Sequence, residues 1–215
     1  MKSLKITISE NIGTVSAELL EPPKVKALLV LAHGAGAGMN HPFMIRLSEA
    51  LATHGIGTLR YNFPYMENGK KRPDMPAVAT KTVEQVLEKA QQLFPKINIF
   101  GAGKSFGGRM TSQCLAKNQL DFVKGLVFYG FPLHPAGAPA VDRADHLKEV
   151  NVPMLFLQGT RDALAEVSLL KPVTGKLKKA SLVLFEKADH SFKSGKQEFI
   201  PELANATKTW IDQLT

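Results

Sequence analysis

Residues 101–108 read Gly101-Ala102-Gly103-Lys104-Ser105-Phe106-Gly107-Gly108, and two chemistries compete for them. Gly103-Lys104-Ser105 copies the end of the phosphate-binding pattern G-x-x-x-x-G-K-[ST]. That pattern needs glycine at position 98, which is Asn98 here, and the later apolar stretch Gly125–Tyr129 lacks the acidic residue that would hold magnesium. The nucleotide-hydrolysing pattern therefore fails. Gly103-Lys104-Ser105-Phe106-Gly107 matches G-x-S-x-G in full, the tight strand-to-helix turn that presents a serine hydroxyl. Side chains at the two glycines would collide with neighbouring elements, and the serine takes a strained backbone. With ten serines and 17 glycines among 215 residues, composition alone produces about 0.06 such matches, so the pattern carries information.

A serine hydroxyl becomes a nucleophile only when a base takes its proton, and that base needs an orienting acid. Behind an elbow of this kind the chain order is serine, acid, histidine. Of the six histidines, only His190 follows the last expected strand and precedes the terminal helix, which makes it the expected base. His41 and His54 fall at helix ends, and His134 and His146 fall between strands, where local hydrogen bonds or pocket lining are their expected duties. Asp162, just past the strand Pro153–Leu157, is the expected acid. Asp142 and Asp145 precede that strand, and Asp189 adjoins His190 too closely in sequence to orient its ring. Acyl transfer also places negative charge on a carbonyl oxygen, which pre-aimed backbone N–H groups stabilise. Phe106, opening the helix after the serine, is one expected donor. Ala35 is the other, in the loop His33-Gly34-Ala35-Gly36-Ala37-Gly38, whose small residues let the backbone approach a substrate. His33 is expected to anchor that loop by a hydrogen bond. Met39 stands where a dinucleotide fingerprint requires glycine.

These residues need a scaffold, and the chain has the signals of one. Ala27–Ala32, Thr58–Tyr61, Ile97–Phe100, Gly125–Tyr129, Pro153–Leu157 and Ser181–Phe185 are short apolar runs of the sort buried on both faces of a parallel sheet. Leu4–Ser9 and Thr14–Leu19 alternate as an edge hairpin does. Helical stretches fall between: His41–Thr53, a segment repeating Val83, Val86, Leu87 and Ala90, and a last one repeating Phe199, Leu203, Ala206, Trp210 and Leu214. Strand alternating with helix predicts an α/β fold with helices on both faces, its ligand at the carboxyl ends of the strands. The length of 215 residues predicts one domain over residues 1–215. Its 44% hydrophobic and 21% charged content excludes disordered and fibrous classes. One cysteine, no apolar run of membrane length and no apolar leader at the amino terminus predict a soluble, cytoplasmic protein without a membrane partner. The net charge of +8 is scattered, with only short clusters such as Lys70-Lys71-Arg72, so no nucleic-acid partner is expected.

His33-Gly34-Ala35-Gly36, Arg60-Tyr61-Asn62-Phe63-Pro64-Tyr65, the elbow, Phe131-Pro132-Leu133-His134-Pro135 and Gln158-Gly159-Thr160-Arg161-Asp162 stand in the order seen in the α/β-hydrolase fold. The set resembles compact bacterial hydrolases grouped with testis-expressed protein 30 and the hydrolase-like domain of a non-specific-lethal complex subunit, and more distantly dienelactone hydrolases, from which it departs by serine in place of cysteine. The resemblance covers about Leu28 to the end. It implies a mostly parallel sheet with an antiparallel amino-terminal edge, and the triad Ser105, Asp162 and His190. The expected activity is that of a serine esterase acting on a small-molecule ester, thioester or lactone without metal or organic cofactor. A peptidase using the same triad and a non-catalytic interaction module are the rival readings. The short stretch between Tyr129 and Pro153 leaves no room for a lid domain. The loops 62–73 and 131–139 are then expected to wall the cleft, with Tyr65, Met66, Phe131 and Leu133 as apolar contacts and Lys70 on a cationic rim.

Overall fold

The computed structural model describes residues 1–214. The chain opens with β1 (Lys2–Ser9) and β2 (Gly13–Leu20), an antiparallel hairpin. The repeating part follows as β3 (Ala27–Ala32), α1 (Pro42–Ala52), β4 (Ile56–Tyr61), α2 (Pro64–Glu67), α3 (Pro76–Leu93), β5 (Asn98–Lys104) and α4 (Phe106–Lys117). It ends with β6 (Val123–Tyr129), a 3-10 helix (Asp142–Glu149), β7 (Met154–Gly159), α5 (Val167–Gly175), β8 (Ala180–Phe185), the two-residue strands β9 (Lys193–Ser194) and β10 (Gln197–Glu198), and α6 (Ile200–Asp212). Eight strands form one sheet in the order β1-β2-β4-β3-β5-β6-β7-β8. Strands β3 to β8 are parallel, and β2 joins them antiparallel to β4. This is the expected mostly parallel sheet with an antiparallel edge.

Interior parallel strands are covered on both faces, which is why β3, β4 and β7 are buried at every position. Their alternate side chains feed two cores. Leu28, Val30, Leu126, Phe128 and Phe156 pack toward α3 and α4. Leu29, Leu31, Val127, Leu155 and Leu157 pack toward α1 and α6. Helices therefore cover both faces. The stripe Val83, Val86, Leu87, Ala90 is buried as its spacing predicts. On α6 the buried face is turned from expectation: Ala204, Thr207 and Ile211 join Leu203 and Trp210, while Leu214 is exposed. Between β6 and β7 lies only the 3-10 helix over a segment of loop, and there is no lid domain. Among the described residues no helix is long and apolar enough to cross a membrane.

Candidate active site

The turn from β5 into α4 places Ser105 with φ +50° and ψ −116°, a left-handed backbone that only a tightly packed turn maintains. The flanking glycines have no room for a side chain. A Cβ on Gly103 would stand 2.2 Å from the Gly108 nitrogen, and one on Gly107 would stand 2.5 Å from the Ala32 carbonyl oxygen. Backbone so close cannot yield as a flexible side chain would. The strand itself runs further than the sequence suggests. Expected to stop at Phe100, β5 continues through Gly101, Ala102 and Gly103 to Lys104, because small residues are what α4 can lie against.

His190 arrives in the loop after β8, with its Nε2 2.9 Å from Ser105 Oγ and its Nδ1 2.7 Å from Asp162 Oδ2. The geometry keeps the proton on Nδ1, which donates it in a hydrogen bond to the carboxylate, and leaves Nε2 to accept from the hydroxyl. Asp162 is buried at the end of β7, where its Oδ1 also accepts from the Leu164 amide at 2.8 Å and Gln158 donates to Oδ2. Gln158 in turn accepts from the Phe131 amide, tying the β6 and β7 loops together. Asp162 and His190 are brought near by a close approach at Gly159, where a Cβ would be 2.3 Å from the Ala188 carbonyl oxygen. The competing carboxylates go elsewhere. Asp189 accepts from the amides of Ser191 and Lys193 and so shapes the histidine loop, and Asp142 and Asp145 lie on the 3-10 helix.

The glycine-rich loop after β3 lies against the elbow, where a Cβ on Gly34 would stand 3.7 Å from Lys104 and 3.8 Å from Ser105. His33 holds it there. The Phe63 amide donates to His33 Nε2 at 3.0 Å, so Nδ1 carries the proton and donates to the Gly34 carbonyl at 2.8 Å. Burial lowers the His33 pKa to about 4, with the Gly34 hydrogen bond opposing that effect, so the ring stays neutral. Tyr65 braces the loop from behind by donating to the Ala35 carbonyl at 2.7 Å. Among the described residues no acceptor pairs with the amides of Ala35 or Phe106, as a pair of oxyanion donors requires. His134 repeats the device elsewhere: its Nδ1 donates to the Pro135 carbonyl and its Nε2 accepts from the Glu166 amide.

A cleft of about 590 Å³ opens over Ser105 and His190. Its wall is not the expected one. Tyr65, Phe131 and Leu133 are at most 1% exposed and belong to the core. Phe131 packs on Phe128 and Phe156, and Tyr65 meets Phe106 edge to face. Met66 packs partly buried against the same core, and Lys70 is exposed away from the cleft. The cause for the aromatic residues is their ring partners: Phe63 and Tyr65 pack edge-on against Phe106 of the elbow, and Phe131 packs on Phe128 and Phe156 of the sheet. The apolar wall comes instead from Phe43 and Met44 of α1, Leu164, Phe192 and Ile200. Arg46 and Lys193 both pair with Glu198 at its far side. A sequence signal for these was present in position alone, since Phe43 and Met44 follow the glycine-rich loop and Phe192 stands two residues past His190.

A mostly parallel eight-stranded sheet, with a serine on a strained turn at the carboxyl end of an interior strand, is the arrangement of the α/β hydrolases. Residues 25–212 match the alpha/beta hydrolase domain family, and the chain belongs to it. Solved structures agree at the level of fold. An α/β serine hydrolase homologue from Coxiella burnetii superposes with a TM-score of 0.75 at 20% identity, covering 100% of this chain and 97% of that one. Dienelactone hydrolase from Anabaena variabilis gives 0.80 at 17%, covering 99% and 97%. A serine hydrolase without a lid from Xanthomonas campestris gives 0.76 at 19%, covering 99% and 95%.

Proposed function

We propose that the protein is a serine hydrolase of small carboxylic esters, thioesters or lactones, working through an acyl-enzyme. The observation that carries this reading is the unbroken hydrogen-bonded path from Asp162 through His190 to Ser105. As Ser105 Oγ bonds to the substrate carbonyl carbon, its proton passes to His190 Nε2 and the carbonyl electron pair moves onto oxygen. The amides of Ala35 and Phe106 hold that oxyanion, the second at the amino end of α4 where the helix dipole adds to it. Collapse breaks the bond to the leaving alcohol, thiol or lactone oxygen, which takes the proton from His190. Water then attacks the acyl carbon, giving a proton to His190, and collapse breaks the bond to Ser105 Oγ, which takes that proton back as the acid leaves. Asp162 orients the ring and stabilises its charged form without itself being protonated.

The single cysteine and the lack of an apolar run of membrane length favour a cytoplasmic setting, and the short loops around Ser105 favour small substrates. The lidless cleft supports the same view, since there is no cover to be displaced at an oil–water interface. Hydrolysis of p-nitrophenyl acetate by the wild type, abolished in Ser105→Ala, is the expected result. Turnover surviving that substitution contradicts the reading.

A further inference from the structure

Lys104, the residue immediately before the nucleophile, has a place that the triad alone does not explain. Its Nζ donates to the backbone carbonyl oxygen of His190 at 2.7 Å. It lies 5.9 Å from the Phe43 ring centre and 5.6 Å from that of Phe192, two stacked rings, within reach of cation–π attraction. Among the described residues it forms no ion pair. Gly130, at the end of β6, leaves space for both partners: a Cβ there would stand 3.2 Å from the ammonium and 3.5 Å from the His190 ring. A lysine with these surroundings costs stability. Burial pulls its pKa down to about 8, against the attraction of Asp162 and Asp189. A methionine of similar length would fill the space without that cost.

We propose that Lys104 is a positioning residue whose ammonium fastens the histidine loop to the nucleophile elbow, holding His190 at hydrogen-bond distance from Ser105. The inference rests on the serine-hydrolase reading above. Covalently, Lys104 is next to Ser105; through its hydrogen bond it grips the main chain of His190 itself. One side chain thus spans the pair whose separation decides proton transfer. The loop needs such a tie, since Lys187 (φ +63°) and Phe192 (φ +57°) both hold left-handed conformations in it. A charged donor makes a stronger hydrogen bond than a neutral amine, so the tie weakens when Lys104 loses its proton. The charged and titratable groups around it are Asp162 after β7, Asp189 and His190 in the loop, His41 and Arg46 on the α1 side, and the Lys193–Glu198 pair.

Capture of Ser105 by a fluorophosphonate needs no knowledge of the natural substrate. Its second-order rate, measured from pH 6 to 10 for the wild type, Lys104→Met and Lys104→Arg, tests the proposal. Lys104→Met is expected to slow capture about 10–100-fold at pH 7, the scale of an ångström-sized misplacement, while melting no earlier than the wild type. Lys104→Arg recovers most of the rate. The wild-type rate falls as the pH passes about 8, and Lys104→Arg lacks that fall because its cation persists. Equal rates and equal profiles for wild type and Lys104→Met overturn the proposal and leave the hydrolase reading standing. Absence of capture in the wild type overturns both. Should Lys104→Met not melt cooperatively, a wild-type rate flat from pH 7 to 10 overturns the proposal by itself.

Discussion

Ser105, His190 and Asp162 stand in separate loops, yet their reacting atoms meet at 2.9 and 2.7 Å. Such a unit fails as a whole when one member is lost. Ser105→Ala is expected to lower kcat on the order of 10⁶-fold with the melting temperature nearly unchanged. Asp162→Asn should cost less than His190→Ala, because the acid orients and stabilises while the histidine carries the proton. Steady-state kinetics of the three variants on one aryl ester check both points; Asp189→Asn proving worse than Asp162→Asn would reassign the acid. This part of the site was legible because elbow, acid and histidine are bound by local patterns and fixed chain order. The cleft wall was not. Whether Tyr65 and Phe131 face solvent or core depends on how two long loops fold back, and that is decided by distant partners such as Ala35 and Phe156.

The strands were the most readable elements, since a parallel strand buried on both faces has no polar positions to confuse the pattern, as in Ala27–Ala32. Short elements without periodicity escaped: α2 spans four residues, α5 contains Pro172, and β9 and β10 have two residues each. What joins elements into a site is close backbone approach, and Gly159 is the clearest case. Gly159→Ala must push Ala188 away, two residues from His190. The expected outcome is a loss of about 1–3 kcal/mol of stability together with a lower kcat. Urea midpoints and kcat measured on the same preparation check this; a variant with wild-type values for both would show that the loop absorbs the shift.

Across the whole molecule, two histidines whose pKa values are lowered on folding, the buried His33 and the half-buried His146, set the acid limit. His33 is brought to a pKa of about 4 by burial, and His146 to about 4 by burial and the Arg109 charge. In the unfolded chain both titrate near 6.5, so between about 6.5 and 4 the unfolded state binds more protons and stability falls as pH falls. The expected loss is seen as a falling urea midpoint over that window, with the buried His33 carrying more of it than the half-buried His146, whose share solvent screens. His146→Gln should flatten the slope, and an unchanged slope would contradict the assignment. The absence of a lid between β6 and β7 carries its own expectation. Short-chain aryl esters should be cleaved faster than long-chain ones, with no jump in rate at the solubility limit; kcat/KM climbing steadily with acyl length would oppose it. The most direct test of the central claim is to react the protein with a fluorophosphonate and locate the adduct by peptide mass spectrometry. A single adduct on Ser105, formed far more slowly in His190→Ala, is the predicted result. No adduct, or one on another residue, would contradict it.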